Sequence, residues 1–407
     1  MHTRTAEAAF TRTDPSDAGF SAPRLALIRA ALERDIAAGV LPGAVVGIGR
    51  RGRIAYLEAI GQRDPASGQP MWADAVFSIA SMTKPMTSVA IMMLAEEGRL
   101  LLGDPASKFL PQMANMKVAK SPTADTLETV PAEREMTVQD LLRHTSGLTN
   151  GNRGTSPAYR AYPESGGTAA SRLSREEFLE TIGKVPLLYQ PGTAWEYGFS
   201  TDVLGHIVEA VSGQSLGAFL KARLWEPLGM ADTSFTLSRA AEGRYARALA
   251  KCPLTGQAQF VLHASGQPQK WESGGGGAVS TAADYLRFVE MLRAGGTFAG
   301  TRILGRKTID LMRADHLGPE IQNRITTMDP AFNGYGFGLG FAVRKTAGVA
   351  AAYGTAGDYY WSGVYGTYFW IDPAEELSVV FMAAAPGQIR LRYRQLLRAL
   401  VLQAMVD

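Results

Sequence analysis

Ser81-Met82-Thr83-Lys84-Pro85, followed by Met86-Thr87-Ser88-Val89-Ala90-Ile91-Met92-Met93-Leu94, is the stretch on which the reading of this chain turns. Proline is accepted in the first turn of a helix and disrupts its interior, so Pro85 predicts a helix start near Ser81, with an end near Gly98. Residues three apart share a helical face, which sets the Ser81 hydroxyl beside the Lys84 amine. The apolar run predicts a buried helix, and an amine emerging from such a wall is a possible proton acceptor for a serine nucleophile. A Ser-x-x-Lys match is short enough to arise by chance, and its plain alternative is a helix cap with a solvated lysine. Its weight depends on the rest of the chain.

The 407 residues are 46% hydrophobic and 19% charged, the composition of a globular protein large enough for two compact regions around a substantial core. A net charge of +3 with dispersed basic residues offers no surface for nucleic acid or an anionic membrane. One cysteine excludes an internal disulfide, and Lys251-Cys252-Pro253-Leu254 lacks the context of a thiol nucleophile. His144, His206, His263 and His316 show no metal-ligand spacing, so neither a metal nor another cofactor is expected. Met1 to Glu7 lacks the apolar core of a secretory leader, and no later stretch is long and apolar enough to span a bilayer. The expected compartment is the cytoplasm.

Leu25, Ile28, Leu32 and Ile36 recur at helical spacing, predicting an opening helix over 23–38 that stops at Gly39. Ala44 to Ile48 and Ile54 to Leu57 flank Arg50-Arg51-Gly52-Arg53 and predict a β-hairpin. Downstream, strands are predicted over 338–343, 364–371 and 377–382, followed by a closing helix from Arg390 to Met405. Strands bracketed by N- and C-terminal helices predict an α/β fold in which both chain ends build one layer. Residues 1–85 and 276–407 form this discontinuous α/β domain. Residues 86–275 form an inserted, mainly helical domain with long loops, and the active site lies between the two. Lys117 to Glu135 and Asn150 to Ser174 fit neither helix nor strand, and the second is a candidate lid.

A hydroxyl nucleophile with a lysine base needs a further proton partner and donors for the oxyanion formed on attack at a carbonyl. Tyr197 follows the turn Pro191-Gly192 and precedes an apparent helix, which places its phenol at a loop end. Ser362-Gly363 reads as the opening of a strand, where backbone N–H groups can face a ligand. Asp202 reads as a helix cap or hydrogen-bond partner, hence as structural support. Gly213-Gln214-Ser215-Leu216-Gly217 satisfies Gly-x-Ser-x-Gly, but Ser215 lies between two apparent helices, whereas a nucleophile elbow follows a buried strand. It reads as a helix N-cap.

Ser81-Met82-Thr83-Lys84, Val138 to Leu148, the Tyr197 segment, Gly274 to Thr281 and Trp361-Ser362-Gly363 stand in the order found in class C β-lactamase-like serine hydrolases. The chain resembles most the family VIII carboxylesterases and the related lovastatin-type acyltransferases. Where the lactamases carry asparagine two residues after the tyrosine, Phe199 stands, and Trp361-Ser362-Gly363 replaces their Lys-Thr-Gly. Trp361 supplies no cation for the carboxylate of a lactam or peptide, and an aromatic wall suits the acyl or alcohol part of an uncharged ester.

The resemblance implies Ser81 as the acylated nucleophile, Lys84 and Tyr197 as its proton relay, and the N–H groups of Ser81 and Val364 as the oxyanion hole. It implies a substrate pocket of Trp361, Ser362, Gly363, Phe199 and Asn150, the last standing where related esterases often carry an aromatic residue. The expected partner is a small-molecule ester and the expected activity is hydrolysis of short-chain carboxylic esters. Acyl transfer to an amine or alcohol is the alternative, as are β-lactam or D-amino-acid peptide hydrolysis. A non-enzymatic binding protein of this fold would be expected to lack the nucleophile or its partners.

Overall fold

The computed structural model describes residues 10–265 and 269–407. The N-terminal stretch Met1 to Glu7, read above for a leader, lies outside the described residues. The opening helix α1 (Ala22–Ala37) ends before Gly39, whose φ of 68° is the left-handed conformation that glycine adopts without penalty. The hairpin follows as β1 (Gly43–Arg50) and β2 (Arg53–Asp64), with the short β3 (Gln69–Pro70) beyond it. The helix α2 (Thr83–Glu96) is entered from a 3-10 turn, Ala80–Met82, so Ser81 sits just before the α-helix. Two further helices matter for the site, α3 (Val138–Leu142) and α4 (Ser200–Ser212). Then come α5 (Ala282–Arg293), β4 (Tyr335–Phe337), β5 (Ala342–Arg344), β6 (Tyr359–Ser362), β7 (Tyr368–Asp372), β8 (Leu377–Ala383) and the closing helix α6 (Ile389–Leu402).

One antiparallel sheet has the order β4-β5-β6-β7-β8-β1-β2-β3. The two ends of the chain therefore meet at its centre, where Ala44 pairs with Ala383 and Arg50 with Leu377. Phe369 of β7 meets Tyr285 of α5, whereas Phe381 of β8 meets Tyr393 of α6. Phe369 pairs with Val380, the neighbour of Phe381, and adjacent strand residues face opposite sides. Thus α5 and α6 cover opposite faces, and β1 and β8 are buried along their whole length. Among the described residues no single helix is long and apolar enough to cross a membrane.

Several predicted elements differ. The strand expected over 338–343 reduces to Ala342–Arg344, and Tyr335–Phe337 forms a strand that was not expected. Residues 363–367 turn back instead of continuing a strand over 364–371, so Ser362 closes β6 and does not open a strand. Both segments left unassigned contain structure: Lys117–Ala119 pairs with Thr129–Pro131, and Asn150 to Ser174 carries short helices at Gly151–Arg153, Pro157–Arg160 and Gly166–Arg172. Ser215 caps the helix Leu216–Leu220, its hydroxyl accepting from the Ala218 N–H.

Candidate active site

Ser81 is presented by a strained backbone. Ala80 before it has φ 45°, a region in which a residue with a Cβ is uncommon and which concentrates at functional sites. The strain is held from three sides. Thr83 Oγ1 donates to the Ala80 carbonyl at 2.7 Å, the Ile79 N–H donates to Ala278, and Thr367 Oγ1 donates to the Ile79 carbonyl at 3.1 Å.

The Tyr197 hydroxyl donates to Ser81 Oγ at 2.8 Å. Lys84 Nζ lies 4.7 Å from the centroid of the Tyr197 ring and donates to the Gly275 carbonyl at 2.5 Å. Hydroxyl, phenol and amine are thus neighbours across the junction of α2 with the loop before α4. The Gly275 N–H in turn donates to Asp202 in the first turn of α4, which also accepts from Ser273 Oγ at 2.5 Å. Burial pushes the Asp202 carboxyl up from its ordinary value, and the Lys84 charge pulls it back.

The Tyr197 ring is fixed by the segment after α3. A capping box between Thr137 and Asp140 starts that helix, and Arg134 and Arg143 both pair with Asp140. The chain then reverses at His144, φ 57°, whose carbonyl accepts from the Glu196 N–H. The His144 ring packs 4.9 Å from Tyr197, with Trp195 and Phe337 around it. Burial first, then the charges of Lys84 and Arg153, hold this imidazole well below its ordinary value, so it is neutral, and Nδ1 has no partner among the described residues.

Ser81, Tyr197, Trp361, Ser362, Val364 and Asn150 line one cavity of about 460 Å³. Trp361 lies 5.4 Å from the Tyr197 ring, as an aromatic wall. Among the described residues the Val364 N–H has no acceptor, and Val364 is exposed on the turn that Thr367 clips to Ile79.

Two of the expected pocket residues are not there. Phe199 is fully buried away from the cavity, against Tyr162 and Phe178, because its backbone already turns into α4 and sends the ring inward. Gly363 faces the Ser81 turn, where a Cβ would lie 2.4 Å from the Ile79 carbonyl oxygen; its role is close backbone approach. Conversely, four arginines that the sequence reading passed over line the cavity: Arg153, Arg324, Arg390 and Arg394. The i, i+4 spacing of the last two on the closing helix was the available signal.

This grouping on this sheet is that of a serine hydrolase of the β-lactamase type. The chain belongs to the Beta-lactamase family, which matches residues 28–403. Protein Rv1367c of Mycobacterium tuberculosis is 35% identical over 352 residues, covering 85% of this chain and 86% of that protein. Esterase EstB of Burkholderia gladioli is 32% identical over 360 residues, covering 84% and 86%. Among solved structures, EstCE1, described as a hydrolase with promiscuous acyltransferase activity, superposes with a TM-score of 0.78 at 29% identity, covering 93% of this chain and 98% of that one. These relatives agree with the resemblance to family VIII carboxylesterases.

Proposed function

We propose that the protein is a serine carboxylesterase that hydrolyses short-chain carboxylic esters through an acyl-enzyme on Ser81. The observation that carries this is the 2.8 Å contact between the Tyr197 hydroxyl and Ser81 Oγ, with Lys84 against the same phenol ring. In this mechanism Ser81 Oγ attacks the ester carbonyl and its proton passes into the Tyr197–Lys84 relay. The tetrahedral oxyanion is held by the N–H groups of Ser81 and Val364. Collapse expels the alcohol, which takes the proton back from the relay, and water repeats the sequence to release the acid. Asp202 supports the relay through Gly275. A cavity of about 460 Å³ suits a small ester, and a single cysteine suits the reducing cytoplasm in which we place the enzyme.

Esterase EstB supports hydrolysis. The description of EstCE1 favours a second activity, transfer of the acyl group to an alcohol or amine at the deacylation step. Turnover of a 4-nitrophenyl ester by the wild type, abolished in Ser81→Ala and retained in Ser215→Ala, is the expected result. Activity that survives Ser81→Ala contradicts the assignment. Product analysis with added alcohol separates transfer from hydrolysis, and nitrocefin cleaved much faster than esters would move the assignment to a β-lactamase.

A further inference from the structure

The cavity that holds Ser81 is electrically lopsided. Arg153, Arg324, Arg390 and Arg394 line it, and no acidic side chain does so among the described residues. Behind the lining, Glu196 is shared by Arg153 at 3.2 Å and Arg324 at 3.7 Å, and Asp329 pairs with Arg394 at 3.0 Å. Two carboxylates therefore face four guanidinium groups. Among the described residues Arg390 has no ion pair within contact distance, its one hydrogen-bond partner is the Gly387 carbonyl, and Asp329 acts on it only through charge at longer range.

The unmatched charge is also unmatched in hydrogen bonds. Arg390 Nε and Arg394 Nε are both buried without an acceptor among the described residues, and Arg394 is only 9% exposed. An unpaired donor on a buried charged group is costly, and both are on residues of the cavity wall. Both stand on the first turns of α6, whose N-terminus adds positive potential at the same end. Burial and the neighbouring Arg394 push Arg390 down to about 10, a stress that a bound anion would relieve. Planar guanidinium forks match a carboxylate in geometry as well as charge. Trp361 contributes no charge, so this cationic end belongs to a different element of the cavity.

We propose that Arg390 and Arg394 bind a carboxylate carried by the substrate itself, making the preferred substrates half-esters, in which the acyl part ends in a free acid. The assignment rests on the esterase reading of Ser81 and replaces the uncharged ester suggested by Trp361.

The test compares kcat/KM for mono-4-nitrophenyl glutarate with that for 4-nitrophenyl valerate, which share leaving group and chain length and differ in the terminal carboxylate. The wild type is expected to prefer the glutarate more than tenfold, and Arg390→Gln to lower that preference at least fivefold, with Arg390→Lys intermediate. A smaller preference, or a smaller fall, overturns the proposal. A second arm measures calorimetric binding of glutarate, and separately of inorganic phosphate, to the Ser81→Ala protein with and without Arg390→Gln. Arginine-dependent glutarate binding with no ester turnover by the wild type would retain the anion site and discard the esterase. Valerate ester turnover without glutarate binding would do the reverse. Phosphate bound as tightly as glutarate would overturn the carboxylate assignment.

Discussion

Lys84 and Asp202 hold one residue, Gly275, from its two ends: the amine donates to its carbonyl at 2.5 Å, and its N–H donates to the carboxylate at 3.1 Å. A Cβ at position 275 would lie 2.2 Å from Asp202 Oδ2, so only glycine fits between them. Truncation in Asp202→Ala strands the buried donors of Gly275 and Ser273, each costing about 1–3 kcal/mol. Urea unfolding is expected to show a loss of about 2–6 kcal/mol, and kcat to fall with it as Lys84 loses its register. Asp202→Asn, which keeps one acceptor oxygen, is expected to lose less. An alanine variant as stable as the wild type would contradict this account.

Tyr197→Phe removes the hydroxyl that reaches Ser81 while leaving the ring packed against His144 and Trp361. Ester turnover should fall by roughly 10²–10⁴, the range for loss of a proton-transfer group, with little change in melting temperature. Activity within tenfold of the wild type would remove the phenol from the mechanism.

His144 gives stability a pH dependence. Its folded-state pKa lies well below the ordinary 6.5, so between that depressed value and 6.5 the unfolded chain binds one more proton than the native protein. Stability from this group is therefore present above pH 6.5 and lost as pH falls toward the folded value, with a limiting slope of about 1.4 kcal/mol per pH unit. Unfolding midpoints measured from pH 7.5 down to 5 should fall less steeply in His144→Gln than in the wild type. Parallel curves would show that the imidazole is not neutral in the fold.

Asp358 joins β6 to the closing helix. It accepts from Arg344 at 2.7 Å, from Arg398 at 2.9 and 3.2 Å, and from Tyr335 at 3.1 Å, all buried. Asp358→Asn leaves two guanidinium groups without a counter-charge and is expected to cost roughly 3–5 kcal/mol in denaturant unfolding. A loss below 1 kcal/mol would mean that water or neighbouring carbonyls already satisfy them.

The parts of the fold that could be read in the sequence are those whose signal is local. Apolar runs on either side of Arg50 to Arg53 specify a hairpin, Gly39 a helix end, and Pro85 a helix start, each within a few residues. The run from Tyr359 to Trp370 misleads because Val364, Tyr365 and Thr367 carry strand propensity into the turn at 363–367, which is held by contact with Ile79. Phe199 misleads for a related reason: proximity in sequence to Tyr197 says nothing of direction once the chain turns into a helix at Phe199, the N-cap of α4. His144 and the four arginines act through neighbours distant in the chain, as Arg390 does by meeting the Ser81 cavity from the last helix. Their placement follows from tertiary packing, which a single sequence does not display.

Pairing of β1 with β8 has a consequence for biosynthesis. The hairpin of β1 and β2 lacks its central neighbour until Leu377–Ala383, more than 300 residues later, has been made, a long-range closure of the kind that slows folding and leaves a strand edge exposed. The turn that clips Ile79 beside Ser81 also comes from this late segment. A nascent chain that stops short of Thr367 thus contains every side chain of the relay without its geometry, and the nucleophile is armed only after this segment has been made and has folded back.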